Sequence, residues 1–369
     1  MKIIHTTISD CENERRIFNE ALTASRNGYE VKILSLKTPE LKAHQFVGTV
    51  VLERIAIRYW QGGPLKFLSF NFKLFIRLLF EHFDILHVHD LWVLPASALV
   101  AIIRRKKLIY DTHEYYRGLE IFNVKPFSGK IWSITEKFFI RFIDTMVCVN
   151  PFHADLFLKM YPEIPSPVII MNLPRKKNMN EILKPKSYRE RENTILFQGI
   201  FKPGRGLFQV IKAMRHVNDG YLEFIGFGEL EEAMRQLVDE LELQEKIMFR
   251  GKVSWDHLLN ETQQTRGGLV IFEPTSENYR FASPNKFFEY VMAGTPVIAS
   301  NIPTFRYFLS EFEVGLLVDS NSEEQIADAM ERLLSDEESW NYFHLNCLKA
   351  REVWNWEIQE EKILDMYKK

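Results

Sequence analysis

Lys286 and Glu289 stand three residues apart in the stretch SPNKFFEYVMAGTPVIAS, Ser283 to Ser300, and offer a cation and a carboxylate to one ligand. The stretch reads as a turn, a two-faced helix, a second turn and a buried strand. Ser283 is a good N-cap, Pro284 suits the first helical position, and Gly294 with Pro296 ends the helix before the β-branched pair Val297-Ile298. At about 100° per residue, Phe287, Phe288, Val291 and Met292 fall on one side and Asn285, Lys286, Glu289 and Tyr290 on the other. Backbone N–H groups and the helix dipole at such a start stabilise an anion. A phosphate held there leaves Glu289 placed to accept hydrogen bonds from a sugar diol, which is a nucleotide-sugar pocket in outline. The alternative is a plain surface helix with Lys286 and Glu289 as a solvated pair.

Three further segments could carry chemistry. QGIFKPGRGL interleaves Gly199, Gly204 and Gly206 with Lys202 and Arg205; glycines let backbone amides approach a phosphate, and arginine grips its oxygens with a planar fork. IGFGELEE, Ile225 to Glu232, opens like a dinucleotide fingerprint, but Glu231 takes the place of the third glycine. That disfavours nicotinamide binding and leaves Gly226 and Gly228 as a tight turn beside the donor. ILHVHD and LIYDTHE end two strands of the first half in His89, Asp90, His113 and Glu114, which suit hydrogen bonds to hydroxyls. His87 and His89 alternate onto one strand face, but the sequence provides no evident further ligand cluster, so no metal is assigned. An Asp-x-Asp pair is absent, which weakens the case for a divalent cation on a diphosphate.

The elements that must position these residues alternate. Strand-like segments at Lys2 to His5, Glu30 to Leu36, Ile85 to Val88, Leu108 to Tyr110 and Thr145 to Val149 accompany a helix through Arg15 to Asn27. After a polar, basic stretch the pattern restarts at Thr194 to Phe197, Tyr221 to Ile225, Ile247 to Phe249, Leu269 to Phe272 and Pro296 to Ala299. This is the pattern of parallel βαβ units, so the expected fold class is α/β with two Rossmann-like, doubly wound domains facing across a cleft. The expected boundaries are a first domain over 1–172, a linker over 173–193, a second domain over 194–350 and a C-terminal helix over 351–369 that crosses back to the first.

The 369 residues carry a formal net charge of −2, so there is no nucleic-acid footprint. Three cysteines without metal-finger spacing point to a reducing cytosol. MKIIHTTISD reads as a first strand and not a signal peptide, and no apolar run is long enough to span a bilayer. Phenylalanine is abundant, with 29 copies, and LKFLSFNFKLFIRLLFEHF and GKIWSITEKFFIRFI mix it with Lys66, Lys73, Arg77, Lys130, Lys137 and Arg141. Either segment could lie in an anionic membrane surface, and core helices packed on a sheet read much the same.

These motifs, with FRGKV at Phe249 to Val253, resemble the retaining glycosyltransferases of family 4, which have the GT-B fold and in bacteria commonly build capsule, lipopolysaccharide or exopolysaccharide. The resemblance implies transfer of a hexose-type sugar from a nucleotide-diphosphate donor to a hydroxyl of a glycan or lipid-linked acceptor, with retention and with no metal or other cofactor. It implies donor contacts at Gly199, Lys202, Arg205, Gly226, Val253, Ser283, Asn285, Lys286 and Glu289, with Glu289 on the ribose and Arg205 and Lys286 on the diphosphate. His113, Arg205 and Lys286 are the implied catalytic groups; His89, Asp90, His113, Glu114, Phe281 and Ala282 are the implied sugar and acceptor contacts. Phe281 replaces the first glutamate of the family's Glu-x7-Glu pattern, leaving its role to backbone at 281–283 or to Glu277. A sugar-nucleotide 2-epimerase and a non-catalytic two-lobed binder are the rival readings. The expected location is the cytoplasm or the inner membrane face.

Overall fold

A computed structural model describes residues 1–12, 14–118, 126–176 and 184–368. The chain divides into one unit of Met1–Asn172 with Gln359–Lys369 and a second of Leu173–Ile358.

In the first unit eight strands lie in the order β3-β4-β2-β1-β5-β6-β7-β8: β1 (Lys2–Thr6), β2 (Glu30–Lys37), β3 (His44–Val47), β4 (Val50–Ala56), β5 (Ile85–His89), β6 (Lys107–Thr112), β7 (Thr145–Cys148) and β8 (Val168–Ile169). All pair in parallel except β3 with β4. That hairpin was not anticipated from the sequence, although its alternating HQFV and VVLERIA flank a Gly48-Thr49 turn with Gly48 at φ +60°. The central strand β5 is buried at all five positions, as a parallel strand covered by helices on both faces should be. Helix Arg15–Arg26 buries Arg16 and Glu20 beside Ile17, Ala21 and Ala24, so its inward face carries charge into the core.

The second unit holds a six-stranded, wholly parallel sheet in the order β11-β10-β9-β12-β13-β14: β9 (Glu192–Ile200), β10 (Tyr221–Phe227), β11 (Ile247–Gly251), β12 (Thr265–Val270), β13 (Val297–Ser300) and β14 (Gly315–Val318). The expected strand Leu269 to Phe272 starts four residues earlier, because Gly267 and Gly268 are ladder residues and not a turn. A short helix, Leu207–Ala213, follows β9.

The stretch 173–193 is not a plain linker. Residues 177–183 lie outside the described ones, but the remainder belongs to the second unit. Tyr188 is buried, and its hydroxyl donates to Leu334 O. Arg191 is 3% exposed and donates to Thr265 O at 2.9 Å, Thr295 Oγ1 at 2.8 Å, Ala293 O at 3.2 Å and Gly294 O at 3.1 Å, with Trp340 beneath it at 4.9 Å. Basic composition alone suggested solvent, yet the fork closes the carbonyl end of helix Asn285–Met292. Burial pulls this guanidinium down to about 10. Arg191→Ala should cost about 2–4 kcal/mol, because several buried acceptors lose their donor. Urea denaturation checks this, and an unchanged midpoint would contradict it.

Candidate active site

Helix Asn285–Met292 begins one residue later than its sequence implies. Pro284, with φ −75° and ψ 143°, takes the N-cap position in place of Ser283, and no side chain caps the start. Every position from Lys286 to Met292 is buried, so the side expected to face water does not. Tyr290 explains why. Its ring lies over Gly268, where a Cβ would come within 2.4 Å of it, and its hydroxyl donates to Leu196 O and accepts from Gln198 N, both at 3.0 Å. A helix clamped to the sheet on that side brings Lys286 and Glu289 inward with it.

The solvated-pair alternative therefore fails. Lys286 is 6% exposed, and its Nζ has no hydrogen-bond partner among the described residues. The ammonium instead sits 3.6 Å from the Phe197 ring centroid and 6.0 Å from that of Phe272. Burial, followed by the neighbouring Arg205, holds this amine well below the ordinary lysine range, with Glu289 opposing the shift. Glu289 is 7% exposed and accepts from Gln198 Nε2 at 2.6 Å, while Gln198 Oε1 accepts from the Thr262 hydroxyl at 2.9 Å.

The loop after β9 meets the same spot. The Arg205 guanidinium lies 5.1 Å from the Phe272 ring centroid, so one ring is flanked by both cations. Gly204 and Gly206 hold the loop close: a Cβ on Gly204 would lie 2.3 Å from the Tyr279 ring, and one on Gly206 2.2 Å from Ile271. Gly206 N donates to Glu273 Oε1 at 3.2 Å, Glu273 N to Gly204 O at 3.0 Å and the Tyr279 hydroxyl to Pro203 O at 3.0 Å. Gly199 and Gly226 are register neighbours at the ends of β9 and β10, packed so that a Cβ on Gly226 would lie 1.8 Å from Gly199 O. Lys202, Val253, Phe281, Ala282 and Ser283 are half-buried and Asn285 is exposed. Glu277 is exposed, 3.8 Å from Arg280.

Of the first-unit candidates, His113 is half-buried and Glu114 exposed. His113 has Nδ1 3.7 Å from Asp90 Oδ2 and Nε2 3.5 Å from Asp111 Oδ2. Burial opposes its protonation, but Asp90 and Asp111 outweigh it and push the imidazole up to about 9. Asp90 adopts φ +72°, unusual for a residue other than glycine, and its Oδ1 accepts the His113 backbone N–H at 3.2 Å. His89 does not line a surface as expected. It is fully buried, with its ring nitrogens 2.8 Å from His5 and 3.1 Å from His113, because the alternation of β5 turns it under helix Arg15–Arg26. Behind these groups Arg16 forks onto Asp111, Nε at 2.9 Å and Nη2 at 2.8 Å. Arg16 and His113 hold the Asp111 carboxyl well below its usual range although burial pushes the other way.

Sequence reasoning missed Gln198, Phe197 and Phe272 in the second unit and Arg16 and Asp111 in the first. Gln198 and Asp111 each lay inside a motif already singled out, at the strand positions next to the polar loop residues.

Two α/β units of this kind define a GT-B glycosyltransferase fold. The structure superposes on sucrose-phosphate synthase from Thermosynechococcus elongatus with a TM-score of 0.79 and 18% identity, covering 100% of this chain and 98% of that one. It matches Anabaena HepE in complex with UDP and glucose with a TM-score of 0.77 and 13% identity, covering 100% and 99%. The chain belongs to glycosyltransferase family 4: the family model described as Glycosyltransferase Family 4 matches residues 14–172, and that described as Glycosyl transferases group 1 matches residues 178–347. It is 24% identical over 358 residues to a phosphatidyl-myo-inositol mannosyltransferase of Mycobacterium leprae, covering 92% of this chain and 88% of that protein. It is also 24% identical over 271 residues to the O-antigen chain mannosyltransferase RfbU of Salmonella typhimurium, covering 67% and 72%. The activity is glycosyl transfer, and neither the epimerase nor the non-catalytic binder is favoured.

A lysine whose folded-state pKa lies below the unfolded value of 10.5 binds fewer protons when folded, so its burden on stability is present at neutral pH and lifts as pH rises toward 10.5. Lys286→Met, which keeps the volume and removes the charge, should therefore stabilise the protein by about 1–3 kcal/mol near pH 7. The gain should shrink at alkaline pH. Melting curves across pH test this, and a variant no more stable than the parent at pH 7 would refute it.

Proposed function

We propose that this enzyme moves a hexose-type sugar from a nucleoside-diphosphate donor to a hydroxyl of a glycan or lipid-linked acceptor in bacterial surface polysaccharide synthesis, retaining the anomeric configuration. The observation that carries the reading is the convergence of Arg205 and Lys286 on the Phe272 ring with Glu289 alongside. The complex of HepE with UDP and glucose and the mannosyltransferase relatives lend it support.

In this reading Arg205 and Lys286 hold the diphosphate and stabilise the negative charge that grows on it as the glycosidic bond breaks, through an oxocarbenium-like transition state. Two fixed cations do the work of a divalent ion, so no metal is required at the diphosphate. Glu289, already oriented by Gln198, accepts from the ribose hydroxyls. Gly199, Lys202, Gly226, Val253, Ser283 and Asn285 complete the donor contacts, and backbone at Phe281 and Ala282 replaces the carboxylate that Phe281 lacks. His113, with Asp90 3.7 Å from its ring and Glu114 next to it in the chain, serves sugar hydroxyls in the first unit. His89 is assigned to the support of His113.

Arg205→Ala and Glu289→Ala should each lose about 1.5–3 kcal/mol of donor or transition-state stabilisation. Turnover is measured with a panel of UDP, GDP and ADP sugars, chosen first by heat stabilisation of the parent. The product's anomeric configuration is read by NMR. Parental turnover in either variant would remove the assigned site, and inversion would remove the stereochemical assignment.

The same reading places the first unit against an anionic membrane surface. Among the described residues no helix is long and apolar enough to cross a bilayer. Helix Pro64–Phe80 buries Phe70, Leu74 and Leu78 and exposes Leu68, Phe72 and Phe80 among its basic residues. Helix Pro126–Phe139 similarly exposes Phe127, Ile134 and Phe138, and Trp132 joins it to Phe67 and Trp92. Exposed apolar residues interleaved with cations suit head groups and the acyl boundary. The protein should float with anionic liposomes at low salt and dissociate as salt rises; failure to float at low salt would end this part of the reading.

A further inference from the structure

The face of the first sheet that lies under helix Arg15–Arg26 gathers three histidines and a carboxylate, of which the transfer reading uses only His89, as support for His113. His5 on β1 is in register with His87 on β5, and His89 follows on the same strand face. Glu20 reaches them from the helix. All four side chains are fully buried, and each can place one ligating atom within 4.8 Å of the others.

The distances single out which atoms. His5 Nδ1 lies 2.8 Å from His89 Nε2, His87 Nε2 lies 3.5 Å from Glu20 Oε2, and His89 Nε2 lies 3.9 Å from the same oxygen. Ligands around tetrahedral zinc stand about 3.3 Å apart, as bonds of about 2.0–2.1 Å require. The three separations straddle that value, and shifts of about 0.5 Å would bring each to it.

Two of the rings turn their other nitrogen to an oxygen: His87 Nδ1 is 2.7 Å and His5 Nε2 3.4 Å from the Tyr367 hydroxyl, while His89 Nδ1 lies 3.1 Å from His113 Nε2 and 3.4 Å from Asp111 Oδ2. Metal-bound imidazoles are held in this way, with the remote N–H on an oxygen that fixes tautomer and ring orientation.

Two more observations point to a cation. Neither oxygen of Glu20 nor His87 Nε2 has a hydrogen-bond partner among the described residues, although all three atoms are buried. Unmade hydrogen bonds of that kind are costly. Arg16 lies 3.2 Å from Glu20 Oε1, but its Nε and Nη2 donate to Asp111. Asp111 thus takes the Arg16 fork and faces His113 as well, which leaves Glu20 without a donor of its own, a lack that a bound divalent ion would fill.

We infer that His5 Nδ1, His87 Nε2, His89 Nε2 and Glu20 Oε2 form a closed tetrahedral zinc site that ties β1, β5 and helix Arg15–Arg26 together. Three imidazoles and one carboxylate suit zinc better than calcium or magnesium, which prefer oxygen ligands. With four protein ligands and no access to water, the site is structural and touches no substrate. Such a sealed ion enters as the chain folds and adds its binding energy to the fold.

The test is elemental analysis of the full chain, expressed in zinc-supplemented medium and desalted against a weak chelator. About one zinc per chain is expected in the parent, with most of it lost in Glu20→Gln and His87→Ala and a lower melting temperature in the metal-depleted protein. Folded parent protein containing little or no zinc overturns the inference, as does undiminished zinc in either variant. Parent protein produced with cobalt in place of zinc decides the matter even where a variant does not fold. The visible bands of tetrahedral cobalt support the site, and their absence from the folded, cobalt-grown protein counts against it.

Discussion

One phenol governs the placement of charge in the second unit. Pairing of β9 with β12 ends at Leu196 and Gly268, and from there the Tyr290 hydroxyl takes both the Leu196 carbonyl and the Gln198 amide. Helix Asn285–Met292 becomes, in effect, a continuation of the sheet's hydrogen bonding. Because Tyr290 is one turn from Lys286 and adjacent to Glu289, the rotation of the helix is fixed by that contact, and neither charged side chain can turn out to water without breaking it. Gly268 is a condition of the arrangement, since any side chain there would occupy the ring's position.

Buried charges in this protein are of two kinds. Arg16 and Arg191 are saturated: the first forks onto Asp111, the second onto a ring of carbonyls, and both hold elements together. Lys286 is different, resting on an aromatic face with no acceptor among the described residues and repelled by Arg205. A fold that keeps such a cation pays for it in stability, and sites built to bind charge in a transition state are where that cost is met. The contrast between saturated and unsatisfied cations separates scaffold from site without reference to any relative.

Much of this was legible in the residues. Alternation of apolar runs with helical segments specified two largely parallel sheets, and a helical segment with Lys286 and Glu289 on one side marked the candidate site. What could not be read was which side faces water. Amphipathic spacing places Tyr290 with the polar residues, but the clamp to Leu196 and Gln198 depends on a strand about ninety residues away, so the helix is buried from Lys286 onward. The same limit hid the role of His89: a strand face is predictable by alternation, whereas its covering by Arg16 and Glu20 is a tertiary fact. The basic stretch near Arg191 looked like linker because composition says nothing of carbonyl groups waiting to be capped.

Tyr367 reaches back from helix Trp356–Lys368 to His87 and His5, and residues 359–369 count with the first unit although the second lies between them in the chain. During synthesis on the ribosome, Leu173–Ile358 is therefore available as a whole before the final piece of its predecessor has been translated. Until then the nascent first unit has β1 and β5 in hand but lacks the hydroxyl that covers their histidines. The order of domain completion is the reverse of the order of domain initiation.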